Sequence, residues 1–395
     1  MEIQSNIWKL YGIRFFSGLI PAYVIERLYW EQHGMSVQMV VYTEILFAVS
    51  IVLLELPSGI AADRWGRKRL LVLSATLFCF EFLILLVADQ FWHFALVVLL
   101  AAVAHAASSG AASALLYDSL LQEGRAGAYE RIAGRMQALD IGAVMLAALS
   151  GSWMATHLGL AFNYQVSLIS AGAALGFALL LREPRPSPQA ADSDDGAAPP
   201  MRAYVGSALR ILRSTPGLPL VLMCWMTVGA AVTYIDEFWQ LYLDQAGIAI
   251  SWFGLYSAAL FLIRLPGSLL AHRLKRMLRF RTLLMAIALT ASAGLIVMSA
   301  TGGYVGLAAM LAVCAVAGVL EPLAGGYLQH RIDSELRATV GSFQSLGEHA
   351  LGIVAGLGFG LLADRFGLLS GYGFLGALVA LAAVCVAVAS RDAAP

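Results

Sequence analysis

Charge is what this sequence lacks most. Only 13% of its 395 residues are Asp, Glu, Lys or Arg, while 60% are hydrophobic. A soluble domain carries about 25% charged residues, because a folded chain must cover its surface with polar groups. A packed soluble core is thereby excluded, and the composition reads as a polytopic membrane protein. An excess of one sign of charge is missing too. The net charge is +0, so nothing marks nucleic acid as a partner. Cysteine is sparse: Cys79, Cys224, Cys314 and Cys385 each fall inside an apolar run, which suits apolar filler rather than disulfides or metal. No metal-ligand cluster, nucleotide loop or nucleophile–base motif appears, so neither an enzyme nor a metal or other cofactor is expected. A cleaved signal peptide is not expected either, since Arg14 interrupts the first apolar run and no cleavage site follows.

What is present is apolar length. A membrane helix needs about 20 mostly apolar residues to cross ~30 Å. Twelve such runs occur, over 8–31, 38–61, 70–89, 92–117, 136–156, 160–182, 218–243, 251–271, 281–300, 303–329, 340–363 and 367–389. With the N-terminus inside, 21 of the 25 basic residues fall in cytoplasmic segments. That positive-inside bias predicts that both termini are cytoplasmic. One linker stands out, REPRPSPQAADSDDGAAPP from Arg182 to Pro200, whose Pro, Ala and Asp predict a flexible strap. MRAYVGSALRILRS follows it, short, basic and amphipathic, suited to lie on the inner leaflet.

The two groups of six runs echo each other. LYWEQHG at Leu28 matches LYLDQAG at Leu241, an offset of 213. Pro57 matches Pro266, Arg64 matches Arg273, and GSWMATHLGL at Gly151 matches GLLADRFGLL at Gly360, all at an offset of 209. Three echoes in one order argue for duplication of a six-helix unit. An even number of helices per unit makes the repeats parallel, related by an axis along the membrane normal. The expected fold is an all-α polytopic membrane protein of twelve transmembrane helices in two six-helix pseudo-symmetric bundles. Its parts are an N-terminal bundle over 1–182, a cytoplasmic linker with a short amphipathic helix over 183–217, and a C-terminal bundle over 218–395.

The charge that does exist is concentrated in LELPSGIAADRWGRKRLL, Leu54 to Leu71. Gly59, Asp63, Arg64, Gly66, Arg67 and Lys68 fit G-x-x-x-D-R-x-G-R-[KR], in the loop between the second and third runs. That pattern resembles the most specific motif of the major facilitator superfamily, and the resemblance spans the whole chain: twelve helices, two halves, a central strap and the motif in its loop. The resemblance implies a transporter that alternates access by rocking its halves around a central site, with this loop latching the outward-open state. Gly59 permits close helix approach, and Asp63 at a helix end can join Arg64 and Arg67 in a charge-assisted network. The second half carries a worn copy, IRLPGSLLAHRLKRMLRF from Ile263, with His272 in place of Asp63 and Ser268 in place of Gly59. Glu55 maps onto Arg264, and these opposite charges predict an attraction when the cytoplasmic gate is closed. SSGAASALLYDSL, Ser108 to Leu120, resembles a helix-four pattern found in an exporter subgroup of bacterial facilitators, and RATVGSFQSL at Arg337 resembles the matching loop before helix eleven. Two departures point the other way. Helix four lacks an arginine, with His105 merely near its position, and helix five lacks a Gly-Pro pair between Gly142 and Gly151.

Ionisable groups within the bilayer cost at least about 2.5–3.5 kcal/mol, so they default to function. In the resembled fold helices one, four, seven and ten line the cavity, and each carries a polar stripe here. Helix seven has Gly229, Thr233, Asp236 and Gln240 on one face. Helix ten has Cys314, Gly318, Glu321, Gly325 and Gln329. Helix four offers His105, Ser109 and Ser113; helix one offers Arg14, Ser17 and Pro21. At 1.5 Å per residue Asp236 lies roughly 27 Å along helix seven, near its outer end, beside Glu237. Asp140 and Glu348 sit a turn or two inside the cytoplasmic face. The proton-coupling candidates are Asp236, Glu237 and Glu321, and the wider substrate and proton set adds Arg14, His105, Asp140, Gln240 and Glu348. Glu81 on helix three suits a structural pairing. The expected function is export of a small organic molecule, such as a drug, siderophore or other metabolite, in exchange for protons, by a monomer in the lipid bilayer. An importer or uniporter of the same fold is the alternative. A membrane sensor or structural partner is the rival of another class, and no soluble domain exists to carry its signal.

Overall fold

The computed structural model describes residues 4–109, 111–183, 218–331 and 334–389, with the backbone alone for 4–5, 55–64, 126, 321, 325–326, 328–331, 334–346 and 389. The expected strap and its amphipathic segment lie outside the described residues from 184 onward. Among the described residues there are fifteen α-helices and no strand. They account for the twelve runs. The first run is α1 (Gln4–Gly18), a 3-10 turn (Pro21–Val24) and α2 (Glu26–Gln32); α3 (Val37–Trp65) and α4 (Arg67–Leu85) follow. The fourth run is split into α5 (Phe91–Ser108) and α6 (Ala111–Gln122), before α7 (Tyr129–Leu158) and α8 (Leu160–Leu180). Then come α9 (Leu218–Gln245), α10 (Phe253–Leu262) and α11 (Arg264–Met277), which share the eighth run, and α12 (Phe280–Thr301), α13 (Gly303–Arg331), α14 (Ser334–Phe366) and α15 (Leu368–Ala389). Among the described residues ten segments are long and apolar enough to cross a membrane. The other two are the first run, broken at Pro21, and α4, which carries Arg67, Lys68, Arg69 and Glu81. Outward-facing Leu53, Leu269 and Phe366 suit lipid rather than water.

The break in the first run has a local cause. Proline fixes its own φ and pushes the residue before it out of the helical region, and Ile20 has φ −119° and ψ 90°. Backbone groups freed within a membrane must be satisfied by protein. The Ala22 N–H donates to Ser167 Oγ at 3.0 Å, and Asn163 Nδ2 donates to the carbonyls of Pro21 and Gly151, both at 2.9 Å. A Cβ on Gly151 would lie 2.5 Å from the Pro21 oxygen, so α7 can approach this turn only as glycine.

The helices form two compact units. One holds residues up to Met35, Tyr42 through α8, and Ile250–Leu255; the other holds Ser36–Val41, α9, and Tyr256 through α15. Each unit repeats the same internal clasp. In the first, Tyr29 donates its hydroxyl to the Leu85 carbonyl at 3.0 Å, and its ring packs on Tyr164 at 4.0 Å. In the second, Tyr242 donates to the Met298 carbonyl at 3.0 Å, and its ring meets Tyr372 edge-on at 5.5 Å. Both bonds span 56 residues. The LYWEQHG and LYLDQAG echoes therefore encode one contact made twice.

Candidate functional site

The first unit brings the charged motif against its own helix ends. Gly66 links α3 to α4 with φ +90°, a left-handed turn that favours glycine. The turn leaves the first N–H groups of α4 pointing out of the helix. Glu183, just past α8, takes two of them, accepting from Arg67 N at 2.8 Å and Lys68 N at 2.7 Å. The Arg67 side chain turns the other way, forming an ion pair with Asp118 on α6 and donating to the Ala114 carbonyl at 3.1 Å. One residue before Glu183, the backbone of Arg182 exchanges hydrogen bonds with Asn6 on α1 at 2.9 and 3.0 Å, and Asn6 also donates to Ser119 Oγ at 3.2 Å. Buried Lys9 donates to the Leu180 carbonyl at 2.6 Å. Beneath these polar groups lies a core of Leu10, Leu70, Leu71, Leu115, Leu116 and Leu120. Thus α1, α4, α6 and the end of α8 are bolted together at the motif. Glu55, Gly59, Asp63 and Arg64 lie on helix α3, with their side chains outside the described residues. Sequence reasoning missed Asp118 and Glu183. Their signal was an acid at the end of an apolar run, opposite a basic loop.

The second unit brings together two groups that the sequence considered apart. Asp236 on α9 and Arg264 at the start of α11 form an ion pair, Nη2 to Oδ1, at 2.5 Å. The same Nη2 reaches Cys314 Sγ on α13 at 3.5 Å, and the guanidinium lies 5.9 Å from the Phe261 ring centre. The pair is not sealed: Asp236 is 41% exposed and Arg264 24%. Arg264 owes its position to a helix break. Pro266 has no N–H for the Leu262 carbonyl, and α10 ends at Leu262 before α11 begins at Arg264. Small residues then lock α11 to α13. A Cβ on Gly318 would strike the Arg264 carbonyl and lie 2.8 Å from its Cα, and one on Gly267 would lie 2.6 Å from the Ala315 oxygen. Ser268, standing where the first copy has Gly59, donates to the Gly318 carbonyl at 3.0 Å. Cys314, read as filler, is one turn from Gly318 and faces the guanidinium. The Glu55–Arg264 attraction has only its arginine among the described side chains, and that arginine is held by Asp236.

The remaining candidates divide. In the first unit Asp140 on α7 packs against Gly18, within electrostatic reach of Arg14 on α1. Arg14 and His105 are exposed, and the His105 ring meets Phe47 edge-on at 6.2 Å. On α9, Thr233 and Asp236 are exposed, while Gln240 is 4% exposed, so the polar stripe runs from an open face into packing. Glu237 and Glu348 are half-buried, each with partners. Glu321 lies on α13 beside Pro322, its side chain outside the described residues. Glu81 is 7% exposed, on α4 within electrostatic reach of Glu26. Arg27 is buried against Glu44 at 3.0 Å and over the Trp30 ring at 4.5 Å. Among the described residues no group of His, Cys, Asp and Glu is arranged to hold a metal ion.

The family model described as Major Facilitator Superfamily matches residues 10–357. None of the curated proteins matches the chain. Solved structures with similar architecture include a variant of the nucleoside transporter NupG, with TM-score 0.76 and 11% identity, covering 98% of this chain and 99% of that one. A D-xylose–proton symporter has TM-score 0.69 and 14% identity, over 98% and 97% of the two chains. A bacterial homologue of the human lysosomal transporter Spinster has TM-score 0.70 and 16% identity, over 99% and 96%. At such identities the likeness is one of fold.

Proposed function

Because the chain belongs to the major facilitator superfamily, we propose that it is a secondary transporter that exports a small organic molecule in exchange for protons by alternating access. Two six-helix halves, 1–182 and 218–395, are joined by the strap over 183–217, with both termini on the cytoplasmic side of a bacterial inner membrane. The observation that carries this reading is the Asp236–Arg264 pair, an ionisable pair held among membrane-spanning helices and open on one side. Charges kept in such a place cost too much to be mere filler. Asp236 is the carboxylate that loads and releases the proton, with Glu321 as a second candidate on α13. Export rests on the likeness of Ser108–Leu120 to exporters.

The test uses purified protein in liposomes loaded with a pH-sensitive dye, challenged with lipophilic cations, zwitterions and polycarboxylates. Compound-driven proton movement that Asp236→Asn stops is the expected result. A labelled compound that equilibrates with no proton movement would leave a uniporter, the reading favoured by the missing arginine of helix four and Gly-Pro pair of helix five. No movement of any compound would overturn transport itself.

A further inference from the structure

Arg264 is under-used. A guanidinium has five N–H donors set in a rigid fork. Among the described residues, Nη2 serves both Asp236 and Cys314, while Nε is buried with no hydrogen-bond partner. A buried donor left unmade costs roughly 1–3 kcal/mol. Asp236 does not meet the fork side-on, since only its Oδ1 is engaged, by Nη2 alone. A carboxylate presented along the Nε–Nη2 edge would satisfy both donors at once, the geometry in which Arg–carboxylate pairs are strongest. Nη2 has two hydrogens, shared now by Asp236 and Cys314, so a carboxylate on that edge takes the place of one of them, and Asp236, which carries the like charge, is the one it repels. The Gly318 and Gly267 contacts hold the Arg264 backbone against α13, so the guanidinium extends from a fixed base.

We propose that Arg264 is the anchor for a carboxylate group of the transported molecule, and that Asp236 is its placeholder, displaced when that molecule binds. This rests on the transporter reading and narrows its cargo to carboxylates, zwitterions included, at the expense of lipophilic cations. Charge balance gives the coupling. In the empty site Arg264 and Asp236 neutralise each other. In the loaded site the cargo carboxylate neutralises Arg264, and Asp236, left within a membrane, takes one proton. The titratable groups facing Asp236 are Arg264 from α11, Cys314 from α13, Tyr372 from α15 and Glu237 on its own helix. Binding of one carboxylate therefore takes up one proton, affinity rises as pH falls, and cargo and proton travel together, so the inference keeps the transporter reading and replaces exchange by co-transport.

Calorimetry on the full chain in lipid nanodiscs tests this with four probes: leucine, its amide leucinamide, citrate and tetraphenylphosphonium. Leucine or citrate is expected to bind, with Kd falling about tenfold per pH unit of acidification, while leucinamide and tetraphenylphosphonium stay silent. Arg264→Gln is expected to abolish that binding, and Arg264→Lys, which keeps the charge but loses the fork, to weaken it about tenfold. Asp236→Asn is expected to do the opposite, tightening carboxylate binding at least tenfold at pH 7.5 and removing its pH dependence. Opposite signs are the signature of competition. A merely structural pair would weaken binding in both variants, and that result overturns the proposal. Binding of tetraphenylphosphonium or leucinamide with both carboxylates silent also overturns it, yet leaves the transporter reading standing. Silence of all four probes overturns the anchor, and the liposome assay then decides whether transport falls with it.

Discussion

Arg67 and Glu183 divide the work of one loop. The arginine leaves its helix to meet Asp118, while the glutamate arrives from beyond α8 to take the two N–H groups that the Gly66 turn exposes. An acid at a helix N-terminus is favoured by the helix dipole as well as by the bonds it accepts. Glu183→Ala is expected to lower stability by about 1 kcal/mol, with Glu183→Gln intermediate, measured by unfolding in mixed micelles. The Arg67–Asp118 pair is partly buried, at 24% and 16% exposure, and a double-mutant cycle with Arg67→Ala and Asp118→Ala is expected to return about 1–3 kcal/mol of coupling. A value near zero would reduce the arginine to a topology signal. These partners were only half legible in the sequence. The motif announces a network by placing Asp63 beside Arg64 and Arg67, which are near in sequence. The carboxylates that hold the Arg67 side chain and the α4 N-terminus come from 51 and 116 residues away, a distance that periodicity and spacing cannot bridge.

One proline acts differently in two helices, and the difference explains what spacing alone concealed. Pro57 and Pro266 occupy matched positions, yet α3 runs unbroken from Val37 to Trp65 while the eighth run parts between Leu262 and Arg264. A proline inside a membrane helix is tolerated when neighbours satisfy the freed backbone. The run broken at Pro266 packs on α13, brought to backbone contact by Gly267 and Gly318 and bonded from Ser268 to the Gly318 carbonyl. Set beside Gly59, Ser268 reads as wear on the motif; in the fold it is a hydrogen bond between helices. Gly318→Leu must push α13 off the Arg264 backbone. Overpacking of this kind costs roughly 1–3 kcal/mol, so a clear fall in Tm is expected for purified protein, together with loss of whatever binding Arg264 supports. Ser268→Ala, which removes one bond and no volume, is expected to lower Tm far less. If Gly318→Leu melted and bound like the parent, close approach of α11 and α13 would not be what positions Arg264.

At the scale of the whole molecule, the twelve runs, the doubling of the chain and the family were legible because each is written in a repeated, local signal: apolar length, basic loops and echoed turns. Asp236 and Arg264 were both singled out, but not as a pair, because one has the position of an outer rim acid and the other that of a gate partner for Glu55; the packing of α9, α11 and α13 decides otherwise. The doubling itself predicts an energetic symmetry. Tyr29 and Tyr242 come from the same echo, donate to carbonyls 56 residues downstream, and rest on Tyr164 and Tyr372. Both tyrosines are buried, so Tyr→Phe removes a bond without opening a cavity. The expected cost is about 1 kcal/mol for Tyr29→Phe and the same for Tyr242→Phe. The two clasps share no partner, so the double variant is expected to lose the sum, about 2 kcal/mol, within the scatter of independent sites. Unfolding of all three variants in mixed micelles checks it. Unequal single costs would mean that the second copy has kept the contact and lost its weight; a double cost well away from the sum would mean that the two units do not unfold independently of each other's clasp.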